Sequence, residues 1–230
     1  MASAREVGRA VARRLQPVAT NGPQAAGNAL RRVLEVAIDG TNRLPSARST
    51  AARHLQRHPS TDAAIEALIE THIGLASAQG FVTNLGGLIT IPIAIPANLT
   101  GVAVVQVRMV AAIAHLRGYD INDNRVRTAL LMCLLGGEQI GERIVSGRLP
   151  SSPMAVATAP VFDPHLDAEV AEAVAGVLLG RVGGRQLPLM VTKRIPILGG
   201  GVSAVLDGYA TREIGKYAKG ELITRRQLRA

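Results

Sequence analysis

The chain has 230 residues, which is enough for one large domain or two small ones. Hydrophobic residues make up 47% of it but aromatic residues only 2%, so its core must be built from Ala, Val, Leu and Ile, a composition that favours packed helices over a β-sandwich. The single cysteine, Cys133, excludes an internal disulfide, and the net charge of +9 favours an anionic partner.

The opening segment, MASAREVGRAVARRLQP, predicts a short basic amphipathic helix rather than a signal peptide. Arginines stand where a signal peptide needs an apolar centre. An apolar stripe is formed by Val7, Val11 and Leu15, and the arginines beside it are Arg5, Arg9 and Arg13. Two interpretations stay open: a solvated helix packed on the domain, or a helix in contact with an anionic lipid surface.

Positive charge is concentrated towards both ends of the sequence. Residues 1–60 hold ten arginines against three acidic residues, and residues 181–230 hold ten Lys and Arg residues against three acidic ones, so each segment carries +7. Residues 61–180 hold six arginines against eleven acidic residues, a charge of −5. This distribution suits phospholipid head groups or, less specifically, nucleic acid.

Residues 24–40 predict a helix that ends at Gly40. Its apolar face consists of Leu30, Val33, Leu34 and Ala37. Residues 41–60, rich in Arg, Ser and Thr, predict a loop. Ser60 or Thr61 is expected to cap the next helix through its side-chain oxygen.

The centre of the chain is a run without charged residues, 71–107. One straight helix of this length would measure ~55 Å, well beyond the ~30 Å hydrocarbon core of a bilayer. Pro92 and Pro96 remove two amide donors and disfavour helix just before them. The sequence therefore predicts a bend at these prolines between two helical arms, 62–90 and 97–117.

Small residues along both arms would let the two backbones approach closely: Gly74, Ala78, Gly86, Gly87, Gly101, Ala103, Ala111 and Ala114. Arg108 stands mid-way along the second arm, where a charge facing lipid costs ~2.5–3.5 kcal/mol. With His115 and Arg117 it argues against a conventional two-pass membrane span. We expect a helical hairpin, either buried in protein or re-entrant in the bilayer.

Three further segments follow the hairpin. A helix is expected to start at Asp120 or Asn122 and to run to about Ser146. Residues 148–165 contain four prolines and predict a loop. The Ala-rich segment 166–186 predicts a helix.

A last apolar, glycine-rich block, 187–226, predicts a C-terminal helix. No segment shows the alternation of a strand, so the fold class is predicted to be all-α. We expect a compact helical domain, 61–230, around the glycine-rich apolar hairpin and the C-terminal helix. Basic N-terminal helices and a loop, 1–60, precede it.

Motifs for enzymes, metals and cofactors are weak in this chain. GGGVSAVLDG does not match GxGxxG and lacks a GK[ST] ending, so its glycines more simply start a helix close to a neighbour. HLQRH places His54 and His58 one turn apart, but no third ligand is near. No HExxH or GxSxG motif occurs, so neither a metal nor a cofactor is expected. Cys133 has no flanking charge and is expected to be a buried structural thiol.

Two charged residues stand in apolar blocks, Arg108 in the hairpin and Asp207 in VSAVLDGYA. A buried carboxylate without a partner costs several kcal/mol. The sequence therefore predicts an ion pair between Arg108 and Asp207 in the interior. The alternative is that each side chain reaches water at a helix end.

Residues 62–220 resemble the EcsC family. The resemblance lies in AQGFVTNLGGLITIPIAIPANLTGVAVVQVRMVAAIAHLRGYDINDNRVRTALLMCLLG and KRIPILGGGVSAVLDGYATREIGKYA. The matching elements are Gly86–Gly87, the central Arg108, the turn Gly118–Asp120, Lys193 with Ile195 and Pro196, and Leu198–Gly199. The family takes its name from an operon with an ABC transporter, so the resemblance implies a membrane-linked bacterial protein and no defined reaction.

The leading functional hypothesis is a helical, non-enzymatic protein of the cytoplasmic membrane face, with an anionic membrane surface or a membrane protein as partner. An accessory role for an ABC transporter and self-association stay open. The alternative is a hydrolase whose site forms only in the fold, with Arg108, Asp207, His115 and Lys193 as the polar groups to compare. Specific nucleic-acid binding is not expected, because neither a motif nor stacking aromatic residues support it.

Overall fold

The structure, a computed structural model, describes residues 27–41, 44–77, 97–182 and 201–224. Within these ranges the chain forms nine helices, and β-pairing is limited to one isolated bridge between Thr41 and Leu44. The all-α prediction is confirmed. The predicted helix in the opening segment, the bend at Pro92 and Pro96, and Lys193 lie outside the described residues.

Helix α1 covers residues 27–39 and ends at Gly40, as predicted. Gly40 has a φ of +77°, and a Cβ there would meet the carbonyl oxygen of Leu44 at 2.6 Å. Only glycine satisfies both conditions, so this residue fixes the turn out of α1.

Helix α2, Ala47–Arg57, lies in the segment 41–60 that the sequence predicts to be a loop, and that prediction is wrong here. The Ser46 hydroxyl caps the helix, accepting a hydrogen bond from the amide of Ser49 at 3.1 Å. The buried residues of α2 are Ala47, Thr50 and Ala51. Because these side chains are small, the apolar pattern of α2 is too weak to stand out against its basic residues.

Helices α3, Thr61–Ser77, and α4, Ala97–Leu116, correspond to the two predicted hairpin arms. The Ser60 hydroxyl accepts a hydrogen bond from the amide of Ala63 at 3.2 Å, which confirms Ser60 as the predicted cap of α3.

The two arms run antiparallel. Near the start of α3, Asp62 accepts a hydrogen bond from Arg117, just after α4, at 2.8 Å. Further along α3, His72 accepts one from Arg108 in the second half of α4 at 3.3 Å. Residue numbers therefore rise along one helix as they fall along the other.

Helices α5, Asn124–Cys133, and α6, Gly137–Val145, replace the single helix predicted up to Ser146. Gly136, between them, has a φ of +81°, which interrupts a continuous helix. The prediction of one helix is therefore wrong at this glycine.

The start of α5 also differs from the prediction. Asp123, and not Asp120 or Asn122, is the capping residue, since its carboxylate accepts a hydrogen bond from the amide of Arg125 at 2.9 Å. The Asp120 side chain instead accepts from the amide of Asn122 in the preceding turn, at 3.0 Å.

Helix α7, Pro153–Thr158, lies within the predicted loop 148–165, and the loop prediction is wrong for it. Pro153 occupies the start of this helix, where its missing amide needs no partner. Helix α8, Pro164–Val182, confirms the predicted Ala-rich helix but begins earlier than expected. The Asp163 carboxylate sets its start by accepting hydrogen bonds from the amides of His165 and Leu166.

Helix α9, Gly201–Glu221, confirms the predicted glycine-rich C-terminal helix and packs along α3. Their contact is close at Gly215, where a Cβ would meet side-chain carbons of Ile69 at 3.0 Å and of Met109 at 3.2 Å. Arg212 pairs with Glu70 at 3.8 Å at the exposed margin of this contact.

Helix α4 lies at the centre of the core. Residues 102–114 are at most 8% exposed, and α2, α3, α5 and α9 contact this helix. The hydrophobic cluster extends from Leu30 to Leu222, so residues before and after position 60 share one core. Cys133 is part of it and is buried, as predicted. None of the helices in the described ranges is both long and apolar enough to cross a membrane.

Candidate functional site

Arg108 is a charged residue in the most apolar part of the fold. It lies on α4 and is only 4% exposed. Its Nε donates a hydrogen bond to Nε2 of His72 on α3 at 3.3 Å. The structure thus places Arg108, which the sequence offers as a buried polar candidate, in the interior.

His72 is completely buried, and its two ring nitrogens have different roles. Because arginine only donates, Nε2 must accept from Arg108. The ring proton then resides on Nδ1, which donates to the carbonyl oxygen of Leu68 at 2.7 Å. Burial, and secondly the charge of Arg108, lower the pKa of His72 to about 3, so the imidazole is neutral at neutral pH.

Arg108 keeps its charge in this environment. Burial and, secondly, the positive charge of Arg53 on α2 lower its pKa to about 10. Arg108 is therefore a buried cation whose hydrogen-bond partner is a neutral ring. A buried charge that lacks an opposite charge is costly by several kcal/mol, which marks the pair as a site rather than ordinary core.

The last turn of α2 adds further basic groups next to this pair. Arg53 and Arg57, and likewise His54 and His58, are spaced by four residues, so each pair lies on one face of the helix. The rings of His54 and His58 stack with centroids 6.1 Å apart and an interplanar angle of 11°. Burial lowers the pKa of His54, as do the charges of His58, Arg53 and Arg57. We call Arg53, His54, Arg57, His58 and Arg108 the basic cluster.

The sequence predicts a direct Arg108–Asp207 ion pair, and the ion pairs of the described residues include none between these two side chains. The polar link from α4 to α9 is instead a hydrogen bond from Gln106 Nε2 to Thr211 Oγ1, 3.1 Å long. Two residues turn an α-helix by about 200°. With Gln106 directed to α9, Arg108 is directed away from it, towards His72.

The remaining predicted polar candidates do not join Arg108. Asp207 is half-buried on α9, and its backbone carbonyl accepts a hydrogen bond from the Thr211 hydroxyl at 2.7 Å. His115 lies near the end of α4 with much of its side chain exposed, and the partial loss of solvent around its ring, together with the charge of Arg48, lowers its pKa. Lys193 lies outside the described residues. The hydrolase constellation is therefore not assembled by the side chains that are described.

No group of three His, Cys, Asp or Glu side chains suited to a metal ion occurs in the part of the chain that the structure describes. His54 and His58 are stacked ring on ring. That arrangement differs from two imidazoles converging on one ion.

Neither the role of His72 nor the contribution of the basic residues of α2 was predicted from the sequence. His72 follows Ile65 and Leu68 at helical spacing, so it stands on the buried stripe of α3, and this signal was present in the sequence. The basic residues of α2 were missed because this helix was assigned to a loop.

A cavity of about 250 Å³ lies between α5, α7 and the start of α8. Its polar wall is already occupied by internal contacts: Arg125 binds Asp123 and the carbonyl oxygen of Ala159, and the Thr128 hydroxyl donates to Asp167 at 2.8 Å. None of the residues of the basic cluster lines this cavity. It is therefore separate from the candidate site.

No protein-family model, curated protein or solved structure matches this chain. The resemblance to the EcsC family stays a prediction.

Proposed function

We propose that this protein is a non-enzymatic helical module that associates with an anionic membrane surface through α2. The observation that carries the proposal is the basic cluster, in which the described charges acting on His54 and Arg108 are those of other basic residues. Anionic phospholipid head groups supply the opposite charge in such an environment.

The exposed side chains of α2 support this assignment. Arg53 and Arg57 are exposed and lie on one face of α2, whereas Leu55, 47% exposed, is turned about 200° away from each of them. Two exposed guanidinium groups on one helix face can contact lipid phosphates together.

The burial of α4 supports peripheral attachment rather than insertion of the hairpin. Four helices contact α4, and its central residues are buried on all sides. In the proposed arrangement the hairpin arms form the protein core and the membrane contact is made by α2, with the basic opening and closing segments adding attraction. The resemblance to the EcsC family, whose name comes from an ABC-transporter operon, supports a cytoplasmic membrane face and a transporter accessory role within this proposal.

Vesicle co-sedimentation tests the proposed function. The full chain should sediment with vesicles of phosphatidylcholine and phosphatidylglycerol, should not sediment with pure phosphatidylcholine, and should be released by high salt. Arg53→Gln with Arg57→Gln should weaken binding by about 2 kcal/mol, roughly 30-fold, since each basic residue near the surface contributes about 1 kcal/mol.

A double variant of the same charge, Arg143→Gln with Arg148→Gln near the end of α6, is the matched control and should bind like the unmodified protein. Absence of binding to anionic vesicles at low salt would exclude the membrane function. Release that requires detergent would instead show that apolar segments enter the lipid.

A further inference from the structure

The basic cluster contains a polar atom without a partner. Nδ1 of His54 is buried and has no hydrogen-bond partner in the structure. Buried polar atoms in folded proteins are nearly always hydrogen-bonded, so an isolated one calls for an explanation such as a ligand. Stacking against His58 holds this ring in place.

Arg108 adds a second group that needs a counter-charge. Helix α2 packs directly on α4, and the charge of Arg53 acts on Arg108 across this contact. Arg108 donates through Nε to a neutral imidazole, which supplies an acceptor but no negative charge. An anion at the junction of α2 and α4 would satisfy this cation and the unpartnered atom of His54 together.

The dipole of α2 does not account for this concentration of charge. The C-terminal end of a helix carries the equivalent of about half a negative charge. Arg53, Arg57 and Arg108 bring three positive charges to this end of α2, where His58 is the C-cap. The helix dipole therefore offsets only a small part of this positive charge, and an anionic partner is needed for the rest.

We propose that Arg108, His54, Arg53 and Arg57 form a binding site for a phosphomonoester group. If the phosphomonoester belongs to a lipid head group, this inference rests on the proposed membrane function. A soluble phosphate has the same chemistry and would bind in the same way. A phosphomonoester carries about two negative charges near neutral pH and has three terminal oxygens. Guanidinium groups bind two such oxygens at once, and the His54 imidazole donates to the third.

Vesicles that differ only in the phosphate linkage test the site. Phosphatidic acid carries a phosphomonoester and phosphatidylglycerol a phosphodiester, and the two vesicle types are matched for surface charge by electrophoretic mobility. The full chain should bind phosphatidic acid vesicles at least about tenfold more tightly, the usual effect of an added charge-assisted hydrogen bond.

Two substitutions test which residues cause the preference for phosphatidic acid vesicles. His54→Gln removes the imidazole without removing a permanent charge, and it should abolish the preference, measured as the ratio of the affinities for the two vesicle types. Arg108→Gln should also abolish the preference, while it weakens binding to both vesicle types through the lost charge, and Arg148→Gln is the control that should keep the preference. If circular dichroism shows that Arg108→Gln does not fold, the result for His54→Gln alone tests the proposed site.

An experiment in solution without vesicles tests whether a soluble phosphate binds to the site. Inorganic phosphate added to the full chain should raise the pKa of His54, followed by NMR of its ring carbons, because a bound anion offsets the charges around it. Those charges come from Arg53, Arg57 and His58 on α2. On the helices next to it, Arg108 of α4 is charged and His72 of α3 is neutral.

The outcomes separate the two proposals. Equal binding to both vesicle types, with no response of His54 to phosphate, would overturn the site and leave the membrane function standing. A response of His54 to phosphate without vesicle binding would support the site with a soluble ligand and overturn the membrane function. No response in either arm would overturn both.

Discussion

Gln106 on α4 and Thr211 on α9 are joined by a buried hydrogen bond of 3.1 Å between Nε2 and Oγ1. The Thr211 hydroxyl uses its proton to donate to the carbonyl oxygen of Asp207, so it accepts from Gln106 and donates within its own helix. Gln106 Oε1 is buried and has no partner in the structure. Replacing either residue of this pair is therefore expected to change the stability of the otherwise apolar contact between α4 and α9.

We predict that Thr211→Val destabilises the protein by about 1–3 kcal/mol, because Nε2 of Gln106 then loses its acceptor in the interior. The double variant Thr211→Val with Gln106→Leu should recover part of the loss, since no buried polar group is left without a partner. Urea unfolding of the four proteins in the cycle measures the coupling. Purely additive effects would contradict this account.

The contact at Gly215 gives a matched pair of substitutions in one helix. Gly215→Ala should destabilise by about 1–3 kcal/mol, because the new Cβ overlaps with Ile69 and Met109. Gly220→Ala, near the end of α9, has nothing within 4 Å of its Cβ and should be neutral or stabilising by up to about 1 kcal/mol. Thermal unfolding of both variants checks the difference in sign.

His72 is predicted to make stability depend on pH. Its folded-state pKa of about 3 lies below its unfolded value near 6.5, so the unfolded chain binds the proton more readily. Its contribution is fully present above pH ~6.5 and is lost as the pH falls towards 3, with a slope of up to about 1.4 kcal/mol per pH unit.

His72→Gln isolates this contribution, because glutamine still offers Arg108 an acceptor but does not titrate. Urea unfolding at several pH values should give a shallower pH dependence for the variant. The lowered pKa values of His54 and His115 act in the same direction and remain in both proteins. Identical profiles for the two proteins would contradict the assignment.

Cys133 is predicted to be unreactive in the folded protein. It is completely buried, and burial raises the pKa of its thiol well above the ordinary value. Labelling with a thiol reagent at pH 8 should proceed only after addition of denaturant. Fast labelling of the native protein would show that α5 opens readily.

The fold was predictable where helices carry long apolar stripes, as α1, α3, α4, α8 and α9 do. It was not predictable in α2 and α7, where the buried residues are few or small and capping by Ser46 or Pro153 determines the helix. The break at Gly136 was also not predicted, because Glu138 and Gln139, which follow the two glycines, are good helix formers and the helical pattern continues through them.

The candidate site was half predictable. An arginine in an apolar run indicates a buried charge needing a partner, and Arg108 is such a residue. Its partner was not predictable from charge alone, because His72 is uncharged in the fold and the direction of Arg108 depends on how α4 is rotated about its axis.

The packing of α9 on α3 has a consequence for synthesis on the ribosome. Gly215 and Ile69 lie close together although they are 146 positions apart in the sequence. At about 5–20 residues per second, α3 and α4 emerge many seconds before α9 is available to cover them. During that interval their apolar faces are exposed to water. We therefore expect the nascent chain to bind a chaperone that recognises hydrophobic helices.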